Sequence, residues 1–72
     1  MATFGQRLQL LRNSNGITQK HMSSVFQLTE RAYRRYENDD STPHYHTLIA
    51  LADYFNVSLD YLVGRSDNPD RT

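Results

Sequence analysis

With 72 residues and no cysteine, the chain has room for one domain near the lower size limit, without disulfides or a thiolate metal site to staple it. Its formal net charge is zero, which on its own argues against a nucleic-acid binder. No apolar run approaches membrane-spanning length, and the opening Met-Ala-Thr-Phe-Gly-Gln lacks a signal peptide's charged-then-apolar order, so a soluble cytoplasmic protein is the expectation.

Thr3-x-x-Gln6 is a capping-box pattern. Phe4, Leu8 and Leu11 follow at i, i+4 and i+7, predicting a first helix to about Asn13 that stops at Asn15-Gly16. Next comes a signal that recurs three times: an apolar residue, a hydroxyl residue, and a second apolar residue five positions after the first. Ile17-Thr18 with Met22, Leu28-Thr29 with Tyr33, and Val57-Ser58 with Leu62 each combine an N-cap with a hydrophobic staple. They predict helices over about 19–26, 30–37 and 59–63. Asn38-Asp-Asp-Ser-Thr-Pro43 reads as a polar loop. Leu48, Leu51, Ala52 and Phe55, with Ile49 alongside, form the apolar face of a further helix. Gly64 ends the last helix, and Arg65 to Thr72 is a polar stretch read as a frayed tail or linker. The expected fold is all-α: five short helices around one core, with residues 1–64 as the domain and 65–72 as the tail.

The charge is zero overall but segregated. Residues 1–35 carry six basic side chains against Glu30 alone, a net of +5. Residues 36–72 carry two basic against seven acidic side chains, a net of −5, so one face can be basic in a neutral molecule. Residues 17–37 hold the paired short helices, and the second opens a row of arginines. That arrangement suits one helix lying in the DNA major groove while another braces it. Glu30 and Arg31 fall in the first turn, Arg34 and Arg35 in the second, and Arg31, Arg34 and Arg35 share one face. Arginine pairs with guanine O6 and N7, and glutamate accepts from the cytosine amino group, which favours half-sites containing G·C. Taken alone, three arginines on a short helix are as compatible with a solvated surface, and Glu30 suits any helix N-terminus.

These blocks together resemble the phage repressor/Cro-type (XRE) helix-turn-helix family over roughly Phe4 to Gly64. The matching residues are Arg7-Leu8 and Leu11-Arg12, Ile17-Thr18-Gln19, Thr29 with Tyr36-Glu37-Asn38, Pro43, Thr47 to Ala52, and Phe55 to Gly64. The resemblance implies the lambda repressor-like DNA-binding fold and sequence-specific binding of double-stranded DNA. The activity it implies is transcriptional regulation, most simply repression, by a prokaryotic or phage-encoded protein. It further implies base contacts from Glu30, Arg31 and Arg35. Backbone contacts would come from Thr18, Gln19, Thr29, Arg34, Asn38, Ser41 and Thr42, and Arg12 and Glu37 would form a structural ion pair. A homodimer on a near-palindromic operator is expected, with Tyr54, Val57 and Tyr61 at its interface. Three positions depart from the family pattern. Gln27 and Asp39 stand where glycine is common, Tyr33 stands where isoleucine or valine is usual, and Asp39-Asp40 brings two negative charges toward the expected phosphate path.

His44-x-His46 is an incomplete metal site and is read as surface or capping histidines, and no cofactor or small-molecule ligand is expected. No nucleophile elbow or glycine-rich phosphate loop supports catalysis. Two other readings share these features: a DNA-binding antitoxin whose apolar C-terminal helices hold a toxin, and an interaction module that has lost DNA binding.

Overall fold

The structure, a computed structural model, describes residues 2–71. Five helices follow in order: α1 Phe4–Ser14, α2 Gln19–Val25, α3 Glu30–Glu37, α4 Tyr45–Phe55 and α5 Leu59–Leu62. No strand occurs among the described residues. The span of α3 is the expected one, whereas the C-terminal ends of α1, α2 and α5 differ by a residue, as at α2, where Phe26 is already the C-cap.

Local chemistry sets the helix starts. The hydroxyl oxygens of Thr3, Thr18, Thr29 and Ser58 accept the backbone N–H of Gln6, His21, Ala32 and Tyr61, each three residues on. Gln6 returns the bond to the Thr3 backbone, completing a capping box. The stapled residues Met22, Tyr33 and Leu62 are fully buried and meet Leu8 and Leu51 in the core. Leu11, Ala52 and Val57 complete that core. Each large apolar side chain buried this way contributes about 1.5–3 kcal/mol relative to exposure. Both α1 and α2 pack on α3, while α5 packs on α1 and α4. The approach of α1 to the end of α3 requires Gly5, where a Cβ would lie 2.4 Å from the Glu37 carbonyl oxygen.

Two expectations are corrected here. Val57 is 6% exposed inside the core, so it is unavailable to a dimer interface; the staple that starts α5 has already used its side chain. The segment after Gly64 is not frayed through residue 71. Pro69 accepts the Ser58 backbone N–H at 2.9 Å, and the Asp60 carbonyl accepts the N–H of Arg65 and Ser66. Arg7 pairs with Asp67 at 3.2 Å, and the Arg71 guanidinium pairs with the Asp53 carboxylate. No helix among the described residues is long and apolar enough to cross a membrane.

Candidate nucleic-acid interface

A turn closed by backbone hydrogen bonds joins α2 to α3. The Gln27 N–H donates to the Ser24 carbonyl at 3.2 Å and the Leu28 N–H to the Ser23 carbonyl at 2.8 Å. Closing the turn places Gln27 at φ +56°, a left-handed conformation that costs a residue bearing a Cβ about 1–2 kcal/mol. Thr29 then caps α3. The next eight residues divide by period: Tyr33 and Glu37 are buried, Ala32 and Tyr36 half-buried, and Glu30, Arg31, Arg34 and Arg35 exposed. Among the described residues, none of these three arginines pairs with a carboxylate, whereas Arg7, Arg12 and Arg71 do.

The inner side of α3 is fastened by one carboxylate. Glu37 Oε2 accepts Arg12 Nε–H at 2.6 Å and the Tyr33 hydroxyl at 2.5 Å. Glu37 Oε1 accepts Arg12 Nη2–H and Gln19 Nε2–H, both at 3.1 Å. Arg12 also donates from Nη1 to the Ile17 carbonyl at 2.9 Å, which ties the chain entering α2 to α1. Burial pushes the Glu37 carboxyl upward, and the hydrogen bonds from Arg12, Tyr33 and Gln19 together outweigh it, leaving the group below its ordinary value. Burial, then the bond to Glu37, raises the Tyr33 hydroxyl, so it stays a protonated donor. Gln19 thus sits half-buried at the start of α2 with its amide drawn toward the end of α3.

In the loop after α3, Asn38 is the C-cap and Asp39 takes φ +61°. The expectation that Asp39 and Asp40 together face the phosphate path is corrected. The Asp39 carboxylate turns onto α1, accepting the Thr3 hydroxyl at 2.6 Å and the Gly5 N–H at 2.9 Å. It supplies the negative group that the first turn of α1 lacks. Asp40 remains exposed, with Asn38 and Thr42, while Ser41 is half-buried. The backbone N–H groups of Asp40 and Ser41 donate to the Arg35 carbonyl at 2.9 and 3.4 Å. Those amides are therefore engaged inside the loop.

Thr18 and Thr29 are exposed at the starts of α2 and α3, two helices that pack on each other, and the other base- and backbone-assigned residues belong to these helices and the loop after α3. The residues assigned to a dimer interface do not gather. Tyr54 is 40% exposed and packs edgewise on Phe26 and Phe55, Tyr61 is half-buried beneath Arg7, and Val57 is internal. His44 caps α4 without a side-chain hydrogen bond, and the His46 ring lies 4.0 Å from that of Tyr45. No group of three or more histidine, aspartate or glutamate side chains gathers for a metal ion among the described residues.

Among the ties not evident in the sequence are Arg7 to Tyr61 and Asp67, Arg71 to Asp53, Asp39 to α1, and the Tyr33 hydroxyl to Glu37. Only the last had a local signal, its i, i+4 spacing along one helix.

Comparison with known proteins agrees with this geometry. A family profile described as "Helix-turn-helix" matches residues 8–62. The chain is 32% identical over 65 residues to YobD of Bacillus subtilis (strain 168), named an uncharacterized HTH-type transcriptional regulator, covering 90% of this chain and 58% of YobD. It is 34% identical over 65 residues to the HTH-type transcriptional regulator ImmR of the same organism, covering 90% of this chain and 51% of ImmR. It is also 35% identical over 60 residues to YonR, an SPbeta prophage-derived uncharacterized HTH-type transcriptional regulator of that strain, covering 83% of this chain and 56% of YonR. The chain therefore spans about half the length of the curated relatives it matches. By profile, by relatives and by its capped, all-helical architecture, the chain belongs to the repressor/Cro-type (XRE) helix-turn-helix family.

Proposed function

We propose that this protein is a sequence-specific double-stranded-DNA-binding transcriptional regulator that lays α3 in the major groove. The observation that carries the reading is the outward face of α3. Arg31, Arg34 and Arg35 are exposed there and, among the described residues, have no carboxylate partner, while the inner side is fastened to α1 and α2 through Glu37. An α-helix with its side chains is about 10–12 Å across, close to the width of the major groove that would receive α3. Arg31 and Arg35 read guanine edges and Glu30 accepts from cytosine. Thr18, Gln19, Thr29, Arg34, Asn38, Ser41 and Thr42 follow the phosphates, supplying most of the affinity but none of the selectivity. The acidic C-terminal half discourages wrong approaches.

Residues 1–64 form the DNA-binding unit, with the following segment braced against it. The regulator acts as a repressor in a bacterial cytoplasm, occluding a promoter as a homodimer on a near-palindromic site. The test is substitution within the reading face. Arg31→Ala and Arg35→Ala should each weaken binding to a selected duplex and relax base choice, whereas Gln19→Ala should weaken all duplexes alike. If Arg35→Ala left both specific and non-specific affinity unchanged, the docking of α3 would be wrong.

A further inference from the structure

We propose that Tyr33, a residue on the buried side of α3, is a positioning residue for DNA binding. Its hydroxyl holds the Glu37 carboxylate in the one orientation that presents the Gln19 amide at the start of α2. The proposal rests on the DNA-binding reading above and deepens it.

Four donors surround the Glu37 carboxylate, as many as it can accept. A carboxylate offers about four lone-pair positions, two on each oxygen. Arg12 Nε and the Tyr33 hydroxyl fill those of Glu37 Oε2, and Arg12 Nη2 and Gln19 Nε2 fill those of Oε1. Tyr33 is 0% exposed and Glu37 6% exposed, so a vacated position is not readily replaced from bulk solvent. The tyrosine ring fills core space that a phenylalanine ring would fill equally well. The hydroxyl alone adds the bond to Glu37, and Glu37 alone connects it to Gln19. Without that hydroxyl, the Arg12 fork still grips both oxygens but nothing on the Tyr33 side opposes its pull, so the carboxylate shifts toward Arg12 and Oε1 moves away from Gln19. A residue with no access to DNA thereby sets the geometry of one proposed to touch phosphate.

The test is Tyr33→Phe, with affinity measured by anisotropy on a selected duplex and a scrambled one, at a temperature where circular dichroism shows the variant fully folded. The expected result is a loss of about three- to tenfold on both duplexes, the scale of coupling carried by one member of a packed network. Because the route runs through Gln19, that loss should largely vanish when Tyr33→Phe is made in a Gln19→Ala background. A role confined to stability would leave folded-state affinity unchanged, and an independent route would make the two losses additive; either result overturns the proposal. If the wild type selects no duplex, the DNA reading fails first. Nuclear magnetic resonance then still tests the wire itself, since Tyr33→Phe should shift the Gln19 side-chain amide resonances, and unmoved resonances sink it. If Tyr33→Phe does not fold, the series is repeated with Asn56→Gly. That change relieves a left-handed residue at the end of α4, φ +55°, which takes no part in the hydrogen bonds to Glu37.

Discussion

The Asp39 carboxylate accepts the backbone N–H of Gly5 at 2.9 Å, so the residue just past the cap of α3 closes the first turn of α1. The same carboxylate takes the Thr3 hydroxyl. Gly5 makes the contact possible, since a Cβ there would lie 2.8 Å from Asp39 Oδ2. A charge expected near the phosphate path instead ties α1 to the end of α3.

Asp39 combines two opposing effects, a cap that stabilises and a left-handed backbone that does not. Asp39→Ala loses the cap and keeps the strain, costing about 1–2 kcal/mol in urea unfolding. Asp39→Gly loses the cap but relieves the backbone and should cost less. Equal losses in the two variants would remove the backbone half of this explanation.

Gln27, at φ +56°, is strained without such compensation: among the described residues no side-chain hydrogen bond holds it. Gln27→Gly should raise stability by about 0.5–1 kcal/mol, the relief of the left-handed backbone less the added freedom of glycine in the unfolded chain. A lower denaturation midpoint would mean that the Gln27 side chain contributes packing of its own.

Acid stability should follow Glu37. Its folded value lies below the unfolded one, so its contribution is complete above the ordinary carboxylate range and is lost as pH falls through the lower, folded value. Stability should thus hold from neutral pH to about pH 5 and decline below it. Glu37→Gln should be less stable at neutral pH and show a flatter acid limb. An acid limb as steep as the wild type's would assign the proton uptake to other carboxylates. Tyr33 acts in the opposite direction, its contribution being lost only as pH rises above the ordinary tyrosine value.

Arg7 is buried, with its guanidinium 3.9 Å from the Tyr61 ring centroid and its Nε without a hydrogen-bond partner. Its carboxylate partner Asp67 is 95% exposed and contributes little. Packing of the stem therefore dominates over the ion pair. Arg7→Ala should cost about 2 kcal/mol or more, Arg7→Met less than about 1, and Asp67→Ala about 0.5 or less. A large loss in Asp67→Ala, measured by thermal unfolding, would reverse that ranking.

The parts of the fold legible in the sequence were those written locally. Thr3, Thr18, Thr29 and Ser58 cap the helices that follow by bonding N–H groups three residues on, and Ile17, Leu28 and Val57 staple the last three, so helix starts and much of the core follow from short windows. The exposure of Arg31, Arg34 and Arg35 followed from period alone. Asp39 reaching Gly5 and Arg7 reaching Asp67 span 34 and 60 residues, and nothing near either end announces the partner. Val57 carried two incompatible signals, an apolar patch and a staple. Only the staple could hold, because it buries the side chain that a patch would need.

The most direct test of α3 as a reading head is selection from a randomised duplex pool, followed by anisotropy on the selected duplex and a scrambled control across a salt series. The expected result is a near-palindromic duplex containing G·C pairs, steep salt dependence, and a loss of about 1–3 kcal/mol at that duplex in Arg35→Ala. A weak, salt-insensitive response to every duplex would contradict it and leave the arginine face a solvated surface.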